Sequence, residues 1–251
     1  MRRFVLAILL LFVALSVCSL SNAQQIAPRK WSQLPDMEWG FDVYSTIMPY
    51  GYSSNVADDW LCTNGLPITD IHWWGSYGDW SMDARPENTI TGFQIDIFGY
   101  YAPYPFYIPH ARYNLTIEEV NETYCGLQEY TGHSAFEYSI ILDEPFNQEE
   151  GSTYWLMIAA YLEDGTSYEW GWKTTDPDSR YGCGAVKYTG DSWEWIPIEY
   201  SDYVDPSHPY YDYGPVNMAF ELTTIPEPAA IIMLGSLATG LFGIAGIKRK
   251  R

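Results

Sequence analysis

The stretch Thr91-Gly92-Phe93-Gln94-Ile95-Asp96-Ile97-Phe98 (TGFQIDIF) decides the fold. Phe93, Ile95 and Ile97 recur at every second position with Gln94 and Asp96 between them, the period of a strand with one face on a core. The same period returns in Met218, Phe220 and Leu222, set against Ala219 and Glu221. TYWLMIAAYL (Thr153–Leu162) is apolar at both parities, the pattern of a central strand covered on both faces. Ala185–Tyr188 and Trp193–Ile196 flank TGDS, whose Gly190 suits a hairpin turn. Ile68–Tyr77, Tyr113–Val120, Phe136–Leu142 and Tyr168–Thr175 complete a set of nine strands. Helical periodicity is scarce. The Pro- and Tyr-rich stretches Tyr100–Pro109 and Val204–Pro215 are unfit for central strands and read as loops. The expectation is an all-β chain with one β-sandwich domain, jelly-roll-like.

The two ends have another character. Arg2 and Arg3 precede an apolar run, Phe4–Val17, and Ser21-Asn22-Ala23 then offers small residues to a signal peptidase. This reads as a signal peptide over 1–23, with Gln24 starting the mature chain. Leu15–Cys18 is the rival, a lipoprotein-like box spoiled by Val17. At the other end Ala229–Ile247 is nineteen residues without a charge, long enough as a helix to cross roughly 28 Å of hydrocarbon. Lys248, Arg249, Lys250 and Arg251 would stop it on the cytoplasmic side. Gly235, Thr239 and Gly243 give that helix a small-residue face.

The body between, 24–225, holds seven cations against thirty-one acids, a net charge of −24. Such a surface repels phosphate backbones and excludes nucleic acid as a partner. It also carries all eleven Trp and all twenty-two Tyr of the chain, material for a large core or for aromatic binding surfaces. Cys62, Cys125 and Cys183 remain in the body, so at most one internal disulfide can form, and any of the three pairs is open.

Pro226-Glu227-Pro228, then the apolar span, then the basic end resembles the PEP-CTERM sorting signal of exported bacterial proteins. The resemblance implies recognition by an exosortase, a membrane-embedded protease that removes the tail and passes the protein to the cell surface or an extracellular polysaccharide matrix. The prolines keep the triplet extended outside the bilayer. A permanent single-pass anchor is the competing reading of the same tail. From Trp31 to Thr224, four segments are similar to a secreted domain of unknown function: VADDWLCTNGLPITDIHWWGSYGDW (56–80), EEGSTYWLMIAAY (149–161), YEWGWKTT (168–175) and VNMAFELTT (216–224). That resemblance implies one continuous domain and no particular activity.

Candidate chemistry centres on PITDIHWW. On a strand, Asp70, His72 and Trp74 share one face, and Asp58-Asp59 could approach it. Trp74 would be a platform for a sugar ring, with the carboxylates gripping hydroxyls; the alternative is a structural polar cluster pinning a loop. Calcium is the cofactor the acid-rich loops admit, through Asp58, Asp59, Asp202, Asp205 and Asp212 or through Asp176-Pro177-Asp178, although Arg180 breaks the EF-hand order there. Catalytic templates fail: His72, His110, His133 and His208 lack metal-site spacing, and GTSYE and GDSWE miss the last glycine of a nucleophile elbow. Ser192 with Asp205 and His208 imitates a serine esterase, but from a hairpin loop. The expectation is a non-enzymatic exported surface or matrix protein; a carbohydrate-binding module is the alternative.

Overall fold

A computed structural model describes residues 28–48, 53–179, 182–189 and 194–224. The signal segment, the sorting triplet, the span 229–247, the basic end and Ser192 lie outside the described residues. Fifteen strands are described: β1 (Arg29–Gln33), β2 (Asp42–Tyr44), β3 (Thr46–Ile47), β4 (Ser54–Leu61), β5 (Ile68–Tyr77), β6 (Ile90–Tyr101), β7 (Tyr104–Pro105), β8 (Ala111–Thr116), β9 (Asn121–Leu127), β10 (Ser134–Phe146), β11 (Thr153–Leu162), β12 (Trp170–Lys173), β13 (Val186–Thr189), β14 (Glu194–Pro197) and β15 (Phe220–Thr223).

They form two sheets. In the first, β5 is the spine, with β10 and then β9 on one edge; β15 (leading to β1) and β12 (leading to β2) follow one another along the other. In the second, β11 lies between β6 and the β4–β3 pair; β6 continues to β8 and β7, and β4 to the β13–β14 hairpin. All these pairings are antiparallel except β11 with β3. The all-β sandwich expected from period-two patterning is what forms.

The inner faces meet in one aromatic core. Phe93 of the second sheet stands edge-on to Trp73 at 5.1 Å and to Trp170 at 5.1 Å, and Tyr138 stacks on Trp73 at 5.7 Å. Ile95, Ile97, Leu156 and Ile158 fill the space around them, fully buried. Aromatic pairs in such offset and edge-on arrangements add about 0.5–1.5 kcal/mol each beyond their buried area. The phenols trapped here direct their hydrogen bonds outward: Tyr138 donates to Tyr77 at 3.3 Å, and Tyr77 to Glu122 at 3.4 Å.

β11 is covered on both faces, as its sequence requires. Its Leu156 and Ile158 enter the main core, while Trp155, Met157 and Ala159 join Ala57, Phe98 and Val186 in a smaller cluster on the opposite side of the sheet. β5 and β11 keep their expected bounds; β6 and β10 run longer, to Tyr101 and from Ser134 to Phe146. The strand expected over Tyr113–Val120 stops at Thr116, where Glu119 caps a 3-10 turn over Ile117–Glu119, and that over Tyr168–Thr175 shortens to Trp170–Lys173. The stretch after Val204 is built of turns, but Tyr100–Pro109 is a hairpin tip, with Tyr101 opposite Tyr104, rather than a plain loop.

Trp170 can reach the core only because β5 has no side chain at Gly75. A Cβ there would sit 2.4 Å from the indole. Gly75→Ala should therefore destabilise the protein by about 1–3 kcal/mol, the usual range for overpacking. Urea denaturation of the two proteins measures it; an unchanged midpoint would show that the indole has room to move.

Candidate functional site

β5 does place Asp70, His72 and Trp74 on one face, the outer face of the first sheet. His72 is held between two carboxylates: its Nε2 lies 2.9 Å from Asp70 Oδ2 and its Nδ1 2.8 Å from Glu137 Oε1 on the neighbouring β10. Thr223 of β15 adds a hydroxyl donor to Asp70 at 3.2 Å. The hydrogen bonds to Asp70 and Glu137 push His72 up to about 10. Trp74, however, is only 7% exposed. It is no platform. Asp70 and His72 are spent on cross-strand pairing.

The second expectation to correct is the approach of Asp58 and Asp59. Both lie on β4 of the other sheet, and as neighbours on a strand they point to opposite sides of it. Asp58 enters the sandwich interior, where it accepts the Met218 amide at 2.7 Å and the Gln33 side chain at 3.1 Å. Burial, and then the charge of Asp59, raise its pKa well above the usual carboxylate range. Asp59, 2% exposed, faces the other way and accepts the Cys183 amide at 3.0 Å. Burial lifts it to about 6 against the amides of Cys183 and Gly184. Gly182 must be a glycine at this turn: its φ is +84°, and a Cβ would meet Asp59 Oδ1 at 2.2 Å.

The loop acids serve their own turns. Asp176 accepts the Asp178 amide at 2.8 Å, and Asp205 the Ser207 amide at 2.8 Å. Among the described residues no three His, Cys, Asp or Glu side chains gather as metal ligands. His208 is buried, with Nε2 at 3.0 Å from the Trp39 carbonyl and Nδ1 accepting the Tyr210 amide at 3.1 Å, so neither nitrogen is free for esterase work. Cys62, Cys125 and Cys183 are all thiols.

The concave surface lies elsewhere. A groove of about 960 Å³ runs between β8 with the end of β6 on one side and the β10–β11 connection on the other. That is within the usual size range of ligand clefts, ~300–1,000 Å³. β10 makes the wall by an irregularity in its pairing: its register on β5 slips between Ile141, opposite Asp70, and Phe146, opposite Ile68. Tyr154 and Phe146 form the floor, edge-on at 5.5 Å, and Tyr154 stacks on buried Trp60 at 5.5 Å. Tyr154 also accepts the Glu149 amide at 2.9 Å. Arg112 stands at the rim, clamped by Asp96 through bonds of 2.7 and 2.6 Å. Those bonds raise the Arg112 pKa further. Tyr100, His110, Glu144 and Asn147 complete the polar and aromatic lining. Beyond Tyr100 the hairpin tip presents Tyr101, Phe106, Tyr107 and Ile108 to solvent, a run without a charge.

Sequence reading missed this groove because its two walls are more than thirty residues apart in the chain. The one local signal was the Tyr- and Pro-rich stretch from Tyr100 to Pro109, whose apolar residues had no strand to bury them.

A family model for a domain of unknown function, DUF7901, matches residues 29–223. The chain belongs to the DUF7901 family. The match covers nearly the whole described sandwich, so the groove, the Asp58–Asp59 strand and the His72 cluster all lie inside one family domain. No curated protein and no solved structure matches the chain.

The two acids and His72 each contribute to the pH response. Asp59 holds its proton in the folded protein up to about 6 but loses it near 3.8 when unfolded. The stability linked to this group is therefore full below 3.8 and falls as pH rises to 6, by about 3 kcal/mol. Asp58 adds to the fall. His72 is raised, so its contribution is present below its unfolded value of 6.5 and is lost as pH climbs through about 10. Asp59→Asn should flatten the acid-side slope of stability, measured by urea midpoints between pH 4 and 7. An unaltered slope would mean that Asp59 is ionised in the fold.

Proposed function

We propose that this DUF7901 protein is an exported, non-enzymatic component of the cell surface or extracellular matrix, and that its sandwich holds a polysaccharide strand in the groove beside Tyr154. The observation that carries the reading is the groove itself: aromatic faces from Tyr100, Tyr113, Phe146 and Tyr154 beside Arg112, Glu144, Asn147 and Glu149. Sugar C–H faces stack on aromatic rings and sugar hydroxyls need polar partners at the rim, so this composition suits a glycan better than a flat apolar ligand. A floor propped by buried Trp60 is preorganised, which lowers the cost of binding. The strongly acidic body favours neutral over anionic polysaccharides.

Delivery rests on the termini: a signal peptide for export, and Pro226-Glu227-Pro228 with its span and basic end as the substrate of an exosortase-type protease. Until it is cut, the apolar helix tethers the body at the membrane.

Retardation in native gels containing polysaccharide tests the binding reading. Tyr100→Ala should weaken retention about tenfold, on the order of 1.4 kcal/mol, whereas Trp74→Phe should leave it unchanged. Loss of binding on Trp74→Phe with none on Tyr100→Ala would return the site to β5. No retardation across a broad glycan panel would remove the binding role. For the tail, Glu227→Ala should leave full-length protein in the membrane fraction; normal processing of that variant would refute the sorting assignment.

A further inference from the structure

Outside the groove, β12 and β2 bring together a buried set of reactive groups that neither the groove nor the sorting tail uses. In WGWK (Trp170–Lys173), Trp170 and Trp172 point into the core, so Lys173 points to the outer face of the first sheet. Asp42 of β2 is its direct cross-strand partner. Lys173 is nevertheless 0% exposed. The turn at Met37–Trp39 and the turn at Gln128–Thr131 close over the pair, joined by Glu129 N–H to the Met37 carbonyl at 2.8 Å and Tyr130 N–H to the Glu38 carbonyl at 3.0 Å.

Under this cover Lys173 Nζ lies 2.8 Å from Asp42 Oδ1. Oδ1 accepts no hydrogen bond of normal geometry, so the amine meets the carboxyl group off the usual line. Gln128 Oε1, 2.5 Å from Nζ, fixes the amine from the other side. Asp42 Oδ2 is 2.8 Å from His133 Nδ1. The tautomer of His133 follows from its other nitrogen: Nε2 accepts the Asp79 amide at 3.2 Å, so Nδ1 carries the hydrogen and donates to Oδ2.

These are the parts that condensation of an amine with a carboxyl group needs: the two groups held in contact, water kept away from them, and a donor on the oxygen where negative charge develops. We propose that Lys173 and Asp42 join spontaneously in an intramolecular isopeptide bond that staples β12 to β2. Nζ passes one proton to Oδ1 across the 2.8 Å contact, leaving an amine beside a carboxylic acid. The Nζ lone pair attacks Cγ, and His133 Nδ1–H steadies the charge that gathers on Oδ2. The Nζ–Cγ bond forms, a second proton moves from Nζ to Oδ1, and the Cγ–Oδ1 bond breaks to release water. Nothing is oxidised or reduced, and no co-reactant enters. Burial favours the neutral amine by lowering the Lys173 pKa. Burial would also raise Asp42, but the Lys173 charge and His133 outweigh it and hold the carboxyl low, so the first proton transfer runs uphill and His133 helps only after it, on the charge that gathers at Oδ2.

The same pair left ionic is an ordinary buried salt bridge, and mass spectrometry separates the two. Proteolytic peptide mapping of the purified full chain should yield one branched peptide joining the Asp42 and Lys173 segments, lighter by one water than their sum. His133→Phe should give the two segments as separate linear peptides while circular dichroism shows the sandwich intact. Separate linear peptides from the unmutated chain, after prolonged incubation at neutral pH, would overturn the proposal. A bond that forms undiminished in His133→Phe would overturn the part given to His133.

Discussion

Everything in this sandwich hangs on how closely its two sheets can approach at Phe93. Trp73, Tyr138 and Trp170 converge on that one ring from the first sheet. Three large aromatic side chains around one phenyl ring leave little freedom, because cores are packed as tightly as organic crystals. The missing side chain at Gly75 is the concession that makes the arrangement possible. Once the sheets are locked there, β5, β6, β10 and β11 have fixed heights relative to one another, and everything at the sandwich edges inherits that geometry.

The groove is one such inheritance. From Trp172 a line of ring contacts runs outward through Phe220 and Trp60 to Tyr154 and then to Phe146 and His110. The inner members are buried core; the outer members line the groove. A ligand stacking on Tyr154 would therefore rest on a surface braced by the fold rather than on a mobile side chain. The acids follow the same logic. Asp58 is held where burial favours its protonated form, and Asp59 keeps its proton up to about 6, which reduces on the acid side the self-repulsion of a body carrying thirty-one acidic residues.

Much of the fold was legible because period two is a local signal. Phe93, Ile95 and Ile97 announce one buried face, and the two-sided apolar run at Thr153–Leu162 announces a central strand. β4 escaped notice because Asp58 and Asp59 interrupt its apolar pattern; their burial depends on amides of Met218 and Cys183, which lie more than a hundred residues away. β9 escaped because, as the strand at the outer end of the first sheet, it is largely exposed and polar. The site was less legible than the fold. The shared face of Asp70, His72 and Trp74 follows from the strand period, but the depth of Trp74 does not. Nor could period or spacing show that Tyr100 and Tyr154 border one cleft, since only the pairing of β6 with β11 brings them together.

Hydrogen–deuterium exchange of the purified protein, with and without the polysaccharide that retards it best, tests most directly whether the groove is the seat of binding. The account predicts slowed exchange in two separate segments, 99–113 and 144–154, with the strand from Ile68 to Tyr77 unchanged. Protection confined to that strand and its Glu137 neighbour, with the two groove segments unaffected, would contradict it.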